Sequence, residues 1–432
     1  MEKLFGTDGI RGIFGQPPMT LPFLQDIARA LATFFQPHFS KGPFFLAQDT
    51  RSSCPAISQH LHPILKASGA QVFSLGVCPT PGLIYMIRAH GACGGIMISA
   101  SHNPAQYNGL KVFKSDGSKL NSQEQLTIQR SLQPQGTPSL PEDPPFFHKA
   151  LDAYKQNLLQ KASALDLFKG RIIVDCANGA LSFIAPEVLK KTNAHIIPIH
   201  HKPNGHNINE ECGATHPKAL MNEVLKHKAD LGIAFDGDGD RLVMCTKDHI
   251  LDGDQILAHL ASDFFKNESP GPKTVISTIL ANKALQIFLK KKGIKLHRTN
   301  VGDAHVMQSM QELNCPLGGE PSGHILFKED GFAGDALFIA LHLLKILSKN
   351  QEVQPQALFT PYAQVTKNIP IAQLKSSALQ AINGIAKNCQ SASQRVIIRP
   401  SGTEPVLRMM VENKEKNAGL KTLQAIEREL VQ

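Results

Sequence analysis

A short polar run that follows an apolar, strand-like segment is the part of the chain best suited to chemistry. Gly95–Ile98 leads into Ser-Ala-Ser-His-Asn-Pro, where Asn103 and Pro104 break regular structure. The bend predicts that Ser101 stands at the exposed tip of a loop. Its hydroxyl could carry a phosphoryl group as a covalent relay if positive charge neutralises the phosphate oxygens. The alternative is an ordinary loop serine that caps a neighbouring backbone group.

Two neighbours compete with this serine for a role. Strand alternation puts Ser99 and Ser101 on one face, but Ser99 should still lie within the strand. His102 could be mistaken for the base of a catalytic triad. Because it is adjacent to Ser101 on an extended loop, we expect its side chain to point away from the serine hydroxyl.

A run of alternating aspartates and glycines indicates a metal site. Asp236, Asp238 and Asp240 follow the apolar segment Leu231–Phe235, and the intervening glycines let the backbone curl so that the carboxylates converge. Carboxylates this close repel one another unless a cation lies among them, and oxygen-only ligands suit Mg²⁺ or Ca²⁺. A solvated acidic turn is the alternative, and an EF-hand is excluded because its required glycine and glutamate are arginine and lysine here. A phosphate oxygen on Ser101 would complete the metal's shell, so the two loops together predict phosphoryl transfer.

A polar loop near the end of the chain has the composition of a phosphate cradle. It joins the apolar segments Arg395–Ile398 and Leu407–Val411 and offers hydroxyls, accessible backbone N–H groups and guanidinium groups. The residues expected to contact phosphate are Arg399, Ser401, Gly402, Thr403 and Arg408. The alternative is a hairpin turn whose polar residues bind nothing.

The run Gly-Glu-Pro-Ser-Gly-His at residues 319–324 has groups suited to a sugar. Glu320 can accept hydrogen bonds from sugar hydroxyls and Ser322 can donate to them. His324 is either a general acid–base near the reacting hydroxyl or a loop histidine bonded to backbone, and both interpretations stay open.

Composition argues against several other functions. The formal charge is +9, but the basic residues are dispersed and the densest run is only Lys290–Lys292. A surface that attracts anionic sugar phosphates is therefore favoured over nucleic-acid binding.

The longest apolar stretch, Ala336–Leu347, is interrupted by His342 and Lys345 and is too short to span a bilayer. Eight cysteines without a Cys-x-x-Cys pair and the lack of a hydrophobic signal segment predict a cytoplasmic protein without membrane contact.

Strand and helix patterns alternate along the 432 residues, which predicts an α/β protein of roughly two to four domains. Prolines between Pro134 and Pro145 mark a stiff connector after the first unit. The predicted fold is three consecutive α/β domains with mixed sheets, followed by a smaller C-terminal α+β domain. The predicted bounds are 1–150 with the serine loop, 151–252 with the aspartate loop, 253–362 with the sugar loop and 363–432 with the phosphate loop. The three front units could be internal repeats, although no clear sequence identity relates them.

Five motifs in a fixed order carry a family resemblance. Phe-Gly-Thr-Asp-Gly-Ile-Arg-Gly at residues 5–12 comes first, and the serine, aspartate, sugar and phosphate loops follow. The chain resembles the α-D-phosphohexomutases from end to end, and within them the bacterial enzymes that act on glucosamine phosphates. The resemblance implies the family's four-domain architecture, with the active site in the central cleft between the domains.

The resemblance also implies a reaction. Ser101 would carry the phosphate and exchange it with a hexosamine monophosphate, through glucosamine or glucose 1,6-bisphosphate as intermediate or activator and with one Mg²⁺ per chain. The product of glucosamine 6-phosphate would be glucosamine 1-phosphate, a precursor of UDP-N-acetylglucosamine. Lys111 and Arg11 match positive residues that the family places around the phosphoserine, and Gly302 matches a backbone position of the family's Val-Gly-Asp motif. Loading of Ser101 by a kinase or by autophosphorylation, and a monomer or a homodimer, stay open.

Two positions depart from the family pattern. Gln48 occupies a position that is usually basic, which questions a charge there. Ala304 replaces the arginine of the family's Val-Gly-Asp-Arg-Tyr, so any contact from that arginine must be absent or come from another group such as His305 or Arg298.

Three other functions stay open. A phosphomannomutase or phosphoglucomutase would use the same chemistry on another sugar. A serine-dependent phosphatase would let water finish the reaction and release inorganic phosphate. A sugar-phosphate sensor without catalysis is disfavoured by the presence of Ser101, all three aspartates and Lys111.

Overall fold

The residues that the computed structural model describes form four sheets, one in each of four successive units. These residues are 4–6, 9–133, 139–163, 168–266, 273–331, 333–350, 355–375, 377–401 and 405–431.

The first unit combines a five-stranded sheet with helices. Its strands are β1 (Ile10–Ile13), β2 (Phe44–Gln48), β3 (Val72–Val77), β4 (Gly94–Ile98) and β5 (Tyr107–Lys114). Its helices are α1 (Leu21–Phe35), α2 (Cys54–Ala67), α3 (Thr80–Ala89) and α4 (Ser122–Arg130). Leu24, Ile27 and Leu31 form the buried face of α1, and α4 begins with a reciprocal capping box between Asn121 and Glu124.

The second unit has the same general make-up. Its helices are α5 (Ala150–Ser163), α6 (Ala185–Lys190) and α7 (Pro217–Lys226). Its strands are β6 (Arg171–Asp175), β7 (His195–Ile199), β8 (Leu231–Phe235), β9 (Leu242–Cys245) and β10 (Ile250–Leu251).

The third unit is α/β as well, and the fourth is smaller. The third contains helices α8 (Gly253–Phe264), α9 (Lys283–Lys291), α10 (Asp303–Glu312) and α11 (Ala336–Lys349) with strands β11 (Thr274–Thr278), β12 (Lys295–Thr299), β13 (Leu317–Gly319) and β14 (Ile325–Phe327). The fourth contains strands β15 (Ala363–Pro370), β16 (Gln394–Pro400) and β17 (Val406–Asn413) with helices α12 (Ala378–Asn388) and α13 (Lys416–Leu430). Its antiparallel sheet has the order β15-β17-β16.

The three front sheets repeat one arrangement of four strands. Their orders are β3-β2-β4-β5, β7-β6-β8-β9 and β12-β11-β13-β14, in which the last strand is antiparallel and the other pairs are parallel. The loop before each antiparallel strand carries Ser101 in the first unit, Asp236 to Asp240 in the second and Glu320 to His324 in the third. Each loop leaves the carboxyl end of a parallel strand, where open α/β sheets bind ligands. The predicted fold class is confirmed, and the front units are topological repeats.

Helix α11 joins the second and third units into one apolar core. Ten of its residues are buried, and they share a hydrophobic cluster with residues of β6, β8 and β9. Ala336–Leu347, the longest apolar stretch of the sequence, therefore packs inside the protein. No helix in the described part of the chain is long and apolar enough to cross a membrane.

This shared core predicts a large cost for truncating α11. Leu337 is fully buried, so Leu337→Ala should lower the free energy of unfolding by about 2–5 kcal/mol. Leu126 of α4 is 44% exposed, and Leu126→Ala should change it by less than about 0.5 kcal/mol. Thermal unfolding of both variants tests this, and equal midpoints would contradict the assignment of α11 to the core.

Candidate active site

Ser101 is buried between the first and second units. Its hydroxyl donates a hydrogen bond of 2.6 Å to Asp236 Oδ2. Its backbone has φ of +52°, a left-handed conformation that non-glycine residues rarely adopt. The expectation of an exposed loop tip is wrong, because Ser101 has no exposed surface once the aspartate loop packs on it.

The two neighbours of Ser101 also differ from expectation. Strand β4 ends at Ile98, and the Ser99 hydroxyl donates to Asp49 Oδ2 at 2.6 Å instead of facing the aspartate loop. His102 does not point away: its Nδ1 lies 3.3 Å from Ser101 Oγ. The positive φ of Ser101 turns the chain and brings this side chain back. Burial and the nearby charges of Arg241 and Arg11 lower the pKa of His102 to about 4, so its imidazole is neutral near pH 7.

The three aspartates converge as predicted. Carboxylate oxygens of Asp236, Asp238 and Asp240 lie within 4.8 Å of one another, and all three residues are buried. Lys111 of β5 enters this cluster from the first unit, with Nζ 2.6 Å from Asp238 Oδ2 and 2.7 Å from Asp240 Oδ2. Thr80, at the start of α3, also donates to Asp238 Oδ2, at 2.5 Å.

Asp236 and Asp240 differ in pKa although they belong to the same cluster. Burial and repulsion from Asp240 and Asp238 raise the pKa of Asp236 to about 8. Burial also acts to raise the pKa of Asp240, but the charges of Lys111 and His324 outweigh it and hold that pKa well below its usual range. The raised pKa of Asp236 shows how strongly the carboxylates repel one another, and a cation among them would relieve that repulsion.

A hard divalent cation fits these donors. The Asp238 Oδ1 atom is buried and has no hydrogen-bond partner among the described residues. Buried carboxylate oxygens without partners are costly unless an ion or water binds them. Because the three donors are oxygens, they suit Mg²⁺ or Ca²⁺ better than a soft metal.

A cavity of about 270 Å³ opens beside this cluster. Its lining comes from the first unit through His102, from the second through Arg241, and from the third through several residues. Those of the third unit are Thr278, Leu280, Val301, Gly302, Asp303, Glu320, Pro321, Ser322 and His324. The structure thus brings Glu320, Ser322, His324 and Gly302 together, as the sequence predicted. Their roles toward a ligand stay predictions.

Glu320 and Gly302 are joined directly. Glu320 Oε1 accepts a hydrogen bond from the Gly302 N–H at 3.1 Å, so the sugar loop and the start of α10 are held together. Burial and the charge of Asp303 raise the pKa of Glu320.

His324 lies between two carboxylates. Its Nδ1 is 3.7 Å from Asp240 Oδ1 and its Nε2 is 3.5 Å from Asp303 Oδ2. Burial acts to lower the pKa of His324, but Asp240 and Asp303 outweigh it and raise the pKa to about 9. Lys119 of the first unit contacts the same Asp303 Oδ2 at 2.5 Å. A loop histidine bonded only to backbone is therefore the weaker interpretation.

The remaining cations are distributed around Ser101. Arg11 lies on β1, beside β5, and its charge acts on His102. Arg241 Nε lies 4.0 Å from Asp236 Oδ2 and 3.9 Å from Asp240 Oδ1. Neither suggested substitute for the arginine missing at residue 304 lines the cavity. Arg298 donates to the carbonyls of Thr278, Ala281 and Asn282, and His305 is exposed.

The predicted phosphate loop is partly described. Arg399 and Arg408 are directly opposite each other on β16 and β17. Burial and the charge of Arg408 lower the pKa of Arg399. Like charges opposite each other destabilise a sheet, so the pair favours a bound anion. The Ser401 N–H donates to the Val406 carbonyl at 2.8 Å, whereas Gly402 and Thr403 lie outside the described residues.

Comparisons with known proteins show the family to which the chain belongs. Models of the phosphoglucomutase/phosphomannomutase alpha/beta/alpha domains I, II and III match residues 2–137, 148–250 and 252–364, and that of the C-terminal domain matches 365–430. A phosphoglucosamine mutase of Maricaulis maris is 38% identical, over 96% of this chain and 95% of that protein. One of Caldicellulosiruptor bescii is 36% identical, over 96% of both. The chain is an α-D-phosphohexomutase.

Solved structures share the fold of this phosphohexomutase. A phosphoglucomutase/phosphomannomutase family protein from Burkholderia thailandensis has a TM-score of 0.83 at 23% identity, over 99% of this chain and 96% of that one. An Aspergillus fumigatus N-acetylphosphoglucosamine mutase, crystallised with GlcNAc-6P and magnesium, has a TM-score of 0.67 at 17% identity, over 99% and 95%. The sequence relatives at 36–38% identity show the enzyme class, an intramolecular phosphotransferase. The exact bounds of the four domains stay predictions.

Several residues of this phosphohexomutase site were missed by the sequence argument. Thr80, Asp49, Arg51 and Asn209 each bond to the serine or aspartate loop. Asp49 and Arg51 follow β2, which pairs in parallel with β4. The rule that carboxyl ends of parallel strands meet at one edge could have found these two. No such local signal marks Asn209.

The carboxylate cluster predicts a strict need for charge. Asp238→Asn preserves side-chain shape but removes a negative ligand, so phosphohexomutase turnover should fall about 10²-fold or more. Chelation should abolish turnover of the wild type, and added divalent cation should restore it. Asp248→Asn, at an exposed turn after β9, is the control and should be fully active. Normal turnover after chelation would mean that the aspartate loop is structural.

Proposed function

We propose that the chain is a phosphoglucosamine mutase that interconverts glucosamine 6-phosphate and glucosamine 1-phosphate and so supplies UDP-N-acetylglucosamine synthesis. The observation that carries the proposal is the placement of Ser101. Its buried hydroxyl is bonded to Asp236 next to a cavity lined by Glu320, Ser322 and His324. The full-length relatives at 36–38% identity that bear this name support the choice of sugar.

Mg²⁺ is the metal we propose, at one ion per chain. Asp236, Asp238 and Asp240 would hold it with an oxygen of the Ser101 phosphate, and when bound it neutralises charge that develops on the transferring phosphoryl group. The all-oxygen donor set supports this choice, as does the magnesium in the related Aspergillus fumigatus enzyme.

The transfer starts from phosphorylated Ser101 and a hexosamine monophosphate. The Oγ–P bond of phosphorylated Ser101 breaks, a bond forms between that phosphorus and a sugar hydroxyl oxygen, and the hydroxyl proton ends on Ser101 Oγ. We assign Lys111 and His324 to this proton's path and to charge stabilisation, because both contact Asp240 at the edge of the cluster. Arg11 and Arg241 add positive charge around the serine.

The intermediate would be glucosamine 1,6-bisphosphate, with glucose 1,6-bisphosphate able to load the serine as activator. After the first transfer it must turn over so that its other phosphate faces Ser101. The pair Arg399 and Arg408, with Ser401, Gly402 and Thr403, would grip whichever phosphate is not reacting. Glu320, Ser322 and the Gly302 backbone would bind the sugar, whose single ring suits a cavity near the lower size limit of ligand pockets.

Release of inorganic phosphate during turnover would indicate a phosphatase instead of a mutase, because a phosphatase passes the phosphoryl group of the serine to water. We also propose a cytoplasmic location, because all eight cysteines are free and seven of them are buried. The first phosphate on Ser101 would come from a kinase or from autophosphorylation, and the proposal holds for a monomer or a homodimer.

The nucleophile can be tested directly. Ser101→Ala should abolish conversion of glucosamine 6-phosphate while leaving the thermal unfolding midpoint close to that of the wild type. Ser122→Ala, at the exposed first residue of α4, is the control and should be fully active. Intact-mass measurement with site mapping should find phosphate on Ser101 alone. Turnover by the Ser101 variant, or phosphate mapped on Ser99, would overturn the assignment.

Substrate choice needs a separate measurement. A 2-amino group differs from a 2-hydroxyl by one cationic donor, and a pocket that pairs this donor discriminates strongly. Glu320 and Asp303 both line the cavity, and Asp303 is already paired with Lys119, so Glu320 is the carboxylate we expect to pair this donor. We expect kcat/KM to be highest for glucosamine phosphates and lower for glucose phosphates. Equal or higher values for glucose or mannose phosphates would change the substrate but keep the mutase mechanism.

A further inference from the structure

Arg51 is a buried cation that bonds to the serine loop. Its side chain is fully buried and does not line the cavity. Its Nη2 donates to the Ser101 carbonyl at 3.1 Å and to the Asn103 carbonyl at 2.8 Å, and its Nη1 donates to the Pro104 carbonyl at 2.5 Å. One planar guanidinium therefore holds three carbonyl groups of the loop that carries the nucleophile.

Asp49 completes this arrangement on the other side of Ser101. It is buried and accepts a hydrogen bond from Arg51 Nε at 2.9 Å. Its Oδ2 also accepts from the Ser99 hydroxyl at 2.6 Å, and that hydroxyl accepts from the Ser101 N–H at 2.8 Å. The Asp49–Arg51 pair thus fixes both the N–H and the carbonyl of Ser101.

The second unit adds a parallel contact. Asn209 Nδ2 donates to the Ser101 carbonyl at 2.8 Å and to the Asn103 carbonyl at 3.1 Å. These are two of the three carbonyl groups that Arg51 holds. Thr50, between Asp49 and Arg51, donates to the Asn178 carbonyl at 2.6 Å and fastens the same loop to the second unit.

The aspartate loop also approaches the Ser101 carbonyl closely. A Cβ atom on Gly237 would lie 2.6 Å from this oxygen, so only glycine allows the approach. Movement of the Ser101 carbonyl would therefore change the distance between the serine oxygen and Asp236. The left-handed φ of +52° at Ser101 also needs support from its surroundings.

We propose that Arg51, with Asn209, is a positioning residue that holds the Ser101 backbone against the aspartate loop and so aligns the phosphoserine for transfer. The inference rests on the proposed function and adds to it residues that do not touch the sugar. A misplacement of about 1 Å at a reacting group can slow a reaction about 10²-fold. Lysine cannot replace Arg51, because a single ammonium lacks the planar set of donors that reaches three carbonyl groups.

The test is single-turnover transfer from phosphorylated enzyme to glucosamine 6-phosphate, alongside steady-state kcat and KM. Arg51→Lys keeps the charge beside Asp49 and should slow transfer about 10²-fold, with KM changed less than about threefold. Asn209→Gly removes the amide at a residue whose φ is +57°, which glycine adopts without strain, and should slow transfer about tenfold. Asn193→Gly is the matched control, because Asn193 has the same φ of +57° and is exposed, and it should behave as the wild type.

Each outcome decides the inference. Transfer by folded Arg51→Lys within threefold of the wild-type rate would overturn it, as would a loss confined to KM. If Arg51→Lys does not fold, Asn209→Gly decides alone, and a rate equal to that of Asn193→Gly overturns the inference. If the wild type itself transfers no phosphoryl group, the proposed function fails. If the wild type transfers normally and so do the variants, only the positioning role fails.

Discussion

Three buried carboxylates within 4.8 Å of one another need positive charge from outside the loop that carries them. Much of the active site follows from that need. Lys111 of the first unit supplies an ammonium group. His324 of the third unit supplies an imidazole whose pKa is raised to about 9, so that it is protonated near pH 7. The electrostatic requirement of one loop thus draws side chains from three units to one place. A divalent cation is the natural complement, because the Asp238 Oδ1 atom has no hydrogen-bond partner among the described residues.

The repeated topology explains how three units can meet at such a site. In the sheets of the first three units, the loop that carries the motif follows β4, β8 or β13 and leads into the antiparallel strand β5, β9 or β14. The three loops lie at the same edge of their respective sheets. Packing the three units around one cleft therefore brings the serine, aspartate and sugar loops together. The core shared by the second and third units through α11 stabilises this packing. The chemistry is therefore divided among loops, while the strands behind them are ordinary buried segments.

Local pattern predicted the elements and the chemistry well, and tertiary packing decided what it missed. The helical spacing of Leu24, Ile27 and Leu31 and the strand before Asp236 were readable because apolar periodicity is a local signal. The burial of Ser101 was not readable, because it depends on the second unit covering a loop of the first. The orientation of His102 failed for a similar reason: it follows from one positive φ at Ser101 that only the packed structure imposes.

Two kinds of restraint act on Ser101, and they respond differently to phosphorylation. A phosphate would replace the hydroxyl proton and add a charge of about −1.5 to −2 where Asp236 Oδ2 is now 2.6 Å away. The bonds from Asp236 and the charges of the cluster must therefore change during each cycle. The bonds to Arg51, Ser99 and Asn209 involve only the backbone groups of Ser101, so phosphorylation does not alter their donors and acceptors. The site can then alternate between its two charge states while the backbone of Ser101 keeps the same hydrogen bonds.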